Sequence, residues 1–65
     1  MNNRVLIRYV DGHGEVYVSQ RWATLGVGER YPGRLNIHDN GEYDYPPAIV
    51  VSNDYHGLIE VRAKD

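Results

Sequence analysis

Short runs of alternating apolar and polar residues, cut by Gly, Asn, Asp and Pro, fill most of this chain. No stretch holds a helical period over several turns. Runs of four to seven residues rich in Val, Ile and Tyr between turn formers read as strands. The first is Arg4 to Val10 and the second Glu15 to Gln20, with Asp11-Gly12-His13-Gly14 between them. A two-residue turn at Gly12-His13, type II′ with Gly first, pairs Val10 with Glu15, Tyr9 with Val16 and Ile7 with Val18. One face then carries Val5, Ile7, Tyr9, Val16 and Val18 and reads as core. The other carries Leu6, Arg8, Val10, Glu15, Tyr17 and Ser19, and sets Arg8 opposite Tyr17.

A second hairpin is expected at Leu35 to His38 and Glu42 to Tyr45, around Asp39-Asn40-Gly41. A two-residue turn there opposes Asp39 to Glu42, a like-charge pair. A three-residue loop with Gly41 at positive φ pairs His38 with Glu42, Ile37 with Tyr43 and Leu35 with Tyr45, matching like with like across the strands. Cross-strand pairs are worth roughly 0.2–1 kcal/mol each, which favours this bulged register. Pro46-Pro47 ends the strand, because proline cannot donate to a ladder. Ala48 to Val51 reads as a short central strand and Leu58 to Ala63 as the last. The predicted core is Val5, Ile7, Val16, Val18, Val50, Val51, Ile59 and Val61. Val50 and Val51 point to opposite faces, so both are buried only if their strand is central or its outer face is covered by the Gln20 to Arg34 segment or a second subunit.

The segment from Gln20 to Arg34 is irregular. Ser19 could cap a single helical turn stopped by Gly26. An extended loop is the preferred reading, given Gly26, Gly28 and Pro32-Gly33. The whole pattern predicts an all-β domain over residues 1–65, a small five- or six-stranded, strongly bent antiparallel sheet or barrel of the SH3-like or OB-like size class. Val51-Ser52-Asn53-Asp54-Tyr55 resembles the Pro-Ser-Asn-Tyr segment before the last strand of SH3 domains over those residues alone. The acidic and aromatic signature those domains carry near their start is missing, so no family follows.

Composition narrows the function. Hydrophobic residues make up 42% and charged residues 25%, as in a globular rather than a disordered domain. At 65 residues the chain is marginal without a staple, and with no cysteine it has neither disulfides nor thiolate metal sites. Oligomerisation or docking is the remaining support, and a homodimer is one form of it. No apolar run reaches the roughly 18 residues of a membrane span and no signal peptide is visible, so the expected location is the cytoplasm, or that of a host cell.

Net charge is −2 and uneven. Residues 1–34 set five Arg against Asp11, Glu15 and Glu29, whereas residues 35–65 set Arg62 and Lys64 against six carboxylates. A mildly acidic total argues against a general nucleic-acid binder. His13, His38 and His56 sit on separate turns without metal-ligand spacing. Asp39, Glu42, Asp44 and Asp54 cluster around the second hairpin but lack the alternation of a calcium loop, and turn chemistry explains Asp39-Asn40-Gly41. Neither a nucleophile nor a phosphate loop is apparent; no cofactor, metal or enzymatic activity is expected.

The aromatic set is the better lead. The chain has six Tyr, one Trp and no Phe, so every ring carries a polar handle. Six of its seven basic residues are Arg, and Arg with Tyr and Trp is the composition of interface hot spots. Trp22, Arg30 and Tyr31 are the expected anchors, with Arg21, Arg34, Arg8 and Tyr17 beside them. The expected function is a small non-enzymatic protein-binding module, an adaptor or inhibitor of a larger protein, of the size common among phage and mobile-element accessory proteins. The alternatives are a small barrel that binds single-stranded nucleic acid and a self-assembling structural subunit.

Overall fold

The computed structural model describes residues 4–35 and 43–63. Its strands are β1 (Arg4–Tyr9), β2 (Gly14–Ser19), β3 (Arg30–Tyr31), β4 (Arg34–Leu35), β5 (Tyr43–Tyr45), β6 (Ala48–Asn53) and β7 (Leu58–Ala63). Five of them form one sheet in the order β2-β1-β7-β6-β3, while β4 and β5 pair separately. The five-stranded sheet curls into a half-barrel. It is mixed rather than antiparallel, because β1 and β7 run parallel, with Leu6 opposite Leu58 and Tyr9 opposite Val61. That pairing joins two local hairpins into one sheet, and no local pattern announces it.

The alternation does its work on the concave side. Val5, Ile7, Tyr9, Val16, Tyr31, Ala48, Val50, Ile59 and Val61 are buried together, with Val18, Ala23, Leu25, Tyr45 and Ala63 packed around them. The convex side carries Leu6, Arg8, Glu15, Tyr17, Glu60 and Arg62. There Arg8 Nε lies 3.4 Å from Glu15 Oε2 and Arg8 Nη1 lies 3.7 Å from Glu60 Oε2.

The first hairpin departs from the expected register by two residues. Tyr9 faces Gly14, Ile7 faces Val16 and Val5 faces Val18, so the connection is the four-residue loop Val10 to His13. Arg8 is therefore opposite Glu15, and Tyr17 is opposite Leu6. Tertiary contacts favour this choice. Gly14 leaves room beside Tyr9 for the Tyr45 ring, which stacks on Tyr9 with centroids 5.9 Å apart. Asp11 Oδ2 reaches the neighbouring strand β7, where it accepts a hydrogen bond from the Ala63 N–H at 2.9 Å.

In the second hairpin Leu35 faces Tyr43 rather than Tyr45, and Arg34 faces Tyr45, with the register shifting between Arg34 and Leu35. The expected pairs of Ile37 and His38, and the Gly41 conformation, lie outside the described residues. Just before the shift, at Gly33, a Cβ would sit 2.8 Å from Pro46 C and Pro47 N. The two backbones meet there with no space for a side chain.

The segment after β2 begins with a 3₁₀ turn, Gln20–Trp22, in which the Ser19 hydroxyl accepts from the Arg21 N–H. The capped turn thus forms in place of an extended loop. The rest is pinned rather than loose. The Asn53 side-chain amide donates to the Ala23 and Leu25 carbonyls at 3.0 and 2.8 Å. Gly28 N–H donates to Val50 O and Val50 N–H to Glu29 O, each at 2.9 Å. These bonds lay residues 28–31 along the edge of β6 in the plane of the sheet, leaving its convex face uncovered. Val51 is accordingly 42% exposed, against 1% for Val50, and a register shift between Val50 and Ser52 marks a bulge there.

Two outcomes follow. Val50→Asp buries an unpaired charge at a cost of several kcal/mol and unfolds a domain of this size, whereas Val51→Asp leaves the melting temperature within a few degrees of the parent. A collapse of the Val51→Asp protein in thermal melts contradicts the uncovered convex face. Gly33 has φ +81°, so Gly33→Ala combines a left-handed conformation with a backbone clash and costs about 2 kcal/mol or more in urea unfolding.

Candidate functional site

Backbone bonding defines an open edge on β2. The Leu6 and Val10 N–H groups donate to Gly57 O and Val61 O of the β7 side, at 2.8 and 2.9 Å. Even-numbered residues of β1 therefore aim their backbone groups at β7, and Val5, Ile7 and Tyr9 aim theirs at β2. The paired residues Val18, Val16 and Gly14 answer them. In an antiparallel ladder the intervening residues point the other way. Glu15, Tyr17 and Ser19 thus direct their N–H and C=O groups away from β1. No strand among the described residues pairs on that side.

Beside this edge runs an open groove of about 500 Å³ lined by Arg4, Tyr17, Val18, Ser19, Tyr31, Gly33 and Arg34. Val18 and Tyr31 form its apolar floor. Its charged lining residues are both arginines. Burial raises the phenol pKa of Tyr31 above its ordinary value, and the nearby Arg34 guanidinium pulls it partly back. That coupling places the positive charge of Arg34 close to the groove floor.

The residues singled out from the sequence separate into three groups. Tyr17, 56% exposed, lines the groove together with Arg34 and Tyr31. Arg21, Trp22 and Tyr31 form a second, continuous stack. The Arg21 guanidinium carbon lies 5.2 Å from the Trp22 ring centroid, and Trp22 packs edge-on against Tyr31 at 5.8 Å. Trp22 is half-buried in this arrangement. Arg30 and Arg8 belong to neither group. Arg30 sits on β3 opposite Ile49, and Arg8 is engaged by two carboxylates on the convex face. Tyr31 is only 3% exposed, so its ring serves the core and has little surface left as a partner anchor. Its burial follows from the edgewise course of residues 28–31, which turns Tyr31 inward and Arg30 outward.

Arg4, Ser19 and Gly33 line the groove without having been singled out. Arg4 stands opposite Ser19. The expected hairpin register moved that pairing by two residues and hid the link. Gly33 has no side chain to signal a role.

The opposite end of the concave side is closed by Tyr9. Its hydroxyl donates to Pro46 O at 2.6 Å, and His13 packs edge-on to its ring at 5.9 Å. Burial, with smaller contributions from Tyr31, Asp11 and Tyr45, raises its pKa well above 10. In the β6–β7 turn, the His56 and Leu58 N–H groups donate to Asp54 Oδ1 at 2.8 and 3.0 Å and hold its carboxyl below the usual value. Among the described residues, no three His, Asp or Glu side chains converge as metal ligands, and no helix is long and apolar enough to cross a membrane.

No family model, curated protein or solved structure matches the chain. The functional reading therefore rests on the geometry alone.

Tyr9 supplies a pH test. A phenol whose pKa is raised on folding binds its proton more tightly in the folded state. Its stabilising effect is complete below pH 10 and is lost as pH rises above the unfolded value. Tyr9→Phe costs about 1 kcal/mol at neutral pH through the lost bond to Pro46 O, and its stability declines less steeply than the parent's above about pH 10. Urea unfolding on both sides of that pH measures the difference. Equal alkaline slopes in the two proteins contradict the assignment.

Proposed function

We propose that this protein is a non-enzymatic protein-binding module, an adaptor or inhibitor, which engages its partner at the open edge of β2 and the adjoining groove. The observation that carries this reading is Tyr17, a large aromatic 56% exposed on an edge strand, beside a groove with an apolar floor and an arginine rim. Solvent contact gives such a ring no folding benefit, whereas a partner that covers it gains apolar area and a hydrogen bond to its hydroxyl. Arg34 supports the same reading: it is exposed at the groove rim and has no ion pair among the described residues. Trp22 and Arg21 stand behind the groove through Tyr31, where they hold its floor in place.

A single-stranded nucleic acid fits less well. Base stacking needs several open rings, while Trp22 and Tyr31 are packed against each other and Tyr9 against Tyr45, which leaves Tyr17 and Tyr55 exposed on separate segments. The convex face also presents Glu15 and Glu60 beside Arg8.

The test is recovery of a partner from the lysate of the organism that encodes the protein, with and without nuclease. The parent protein retains its partner after nuclease treatment. Tyr17→Ala and Arg34→Ala each lower recovery about tenfold or more with unchanged melting temperatures, whereas Arg30→Ala and Arg8→Ala leave it near the parent level. Nuclease-sensitive recovery, with binding that weakens steeply in salt, replaces this reading with the nucleic-acid one.

A further inference from the structure

We infer that the partner presents an extended, carboxylate-bearing peptide segment that adds to β2 as a further strand of the half-barrel. This rests on the protein-binding reading and specifies its ligand. Glu15 and Tyr17 each offer an outward N–H and an outward C=O, two residues apart, and Ser19 adds its N–H, its C=O being taken by the 3₁₀ turn it caps. At about 3.4 Å per residue these pairs recur every ~7 Å along the edge, the repeat of another strand's own donors and acceptors.

The pattern selects a polypeptide. Each outward C=O needs a donor, and a phosphodiester backbone supplies acceptors. A peptide strand supplies both, and it satisfies the β2 edge residue by residue. The groove completes the selection through its side chains. An added strand sends alternate side chains toward the groove floor, where the half-buried Val18 takes apolar residues. The rim takes carboxylates at Arg34, which is exposed there. Alternating acidic and apolar residues in an extended chain are the complementary pattern.

The same groove shows why the site is open. β3 and β4 are separated by Pro32-Gly33, and Gly33 is pressed against the Pro46-Pro47 backbone. β3 ends at Tyr31, paired with β6, and the chain passes to β4, which pairs with β5. The sheet is left with β2 at one end of its order and β3 at the other. A strand added to β2 lies on the side the groove occupies. A second copy of this chain is a poorer occupant. Its β2 would bring Glu15 as the one carboxylate, and that group is already held by Arg8 at 3.4 Å.

The probe is a display library of random peptides of about seven residues, a usual strand length, selected on the parent protein and on Arg34→Glu. Parent selection is expected to enrich Asp or Glu alternating with apolar residues and to exclude Pro. A synthetic peptide of the enriched sequence is expected to slow amide exchange at Glu15 and Tyr17 about tenfold or more. N-methylation of its alternate backbone nitrogens abolishes binding, and Arg34→Glu weakens it about tenfold or more without changing the melting temperature. Enrichment of basic or uncharged peptides overturns the proposal, as does the absence of enrichment. Protection confined to other residues overturns it too, as does a concentration-dependent dimer that protects Glu15 and Tyr17 without peptide. A nuclease-resistant partner recovered equally by the parent and Arg34→Glu, with exchange at Glu15 and Tyr17 unaltered, overturns strand addition and leaves the protein-binding reading standing. Loss of recovery after nuclease removes that reading itself.

Discussion

The parallel pairing of β1 with β7 is the contact on which the rest of the molecule depends. Each local hairpin, β1–β2 and β6–β7, has an apolar face too small to bury by itself, since two strands alone are marginal in water. Side by side, they bring Val5, Ile7, Ile59 and Val61 into one concave surface where each is at most 1% exposed. Forming the pair requires a closure spanning most of the chain, from Leu6 to Leu58. The entropic cost of closure grows only slowly with loop length and is set against the apolar burial gained at once from both hairpins.

Once β1 is central, its two sides are committed and the open edge falls on β2. The concave side must then be covered without a second full sheet. Aromatic side chains do this from two directions. Tyr45 stacks on Tyr9, whose hydroxyl is tied to Pro46 O, and Tyr31 is held by Trp22. Tyrosine suits these positions because a ring closes the barrel mouth while its hydroxyl meets backbone or solvent at the rim. Absence of phenylalanine is consistent with a core so shallow that nearly every ring reaches its boundary. The abundance of tyrosine is therefore partly a folding requirement. Tyr17, whose ring lies on the outside, is the clearer sign of a partner.

Edge strands are a liability that proteins commonly blunt with charge, proline or a bulge. β2 carries one charged residue, Glu15, which is drawn back over β1 by Arg8. The register irregularities lie instead in β6 and β4, and the prolines lie at the β3–β4 and β5–β6 links. The protection is thus spent away from β2. A groove with arginines on its rim beside an unblunted edge gives selectivity in place of exclusion: a peptide of the wrong charge is disfavoured while the ladder remains available.

Alternation along the chain determined which side chains face inward. It did so even where the expected hairpin register was off by two, because side chains repeat every two residues and such a shift leaves each on its original face. The strand segments, the proline stops and most of the core follow from that period, as does an all-β fold. The tertiary structure decided the rest. Parallel β1–β7 pairing depends on contacts far apart in sequence. The turn at Val10 to His13 was set by Tyr45 on β5 and Ala63 on β7, which lie far along the chain. Val51 faces solvent because residues 28–31 joined β6 at its edge rather than over its face. Tyr31 went inward and Arg30 outward for the same reason. Composition marked Arg, Tyr and Trp as the residues of interest, but composition carries no direction. Only the folded chain separated those that build the concave core from Tyr17 and Arg34, which it sets beside an open strand edge.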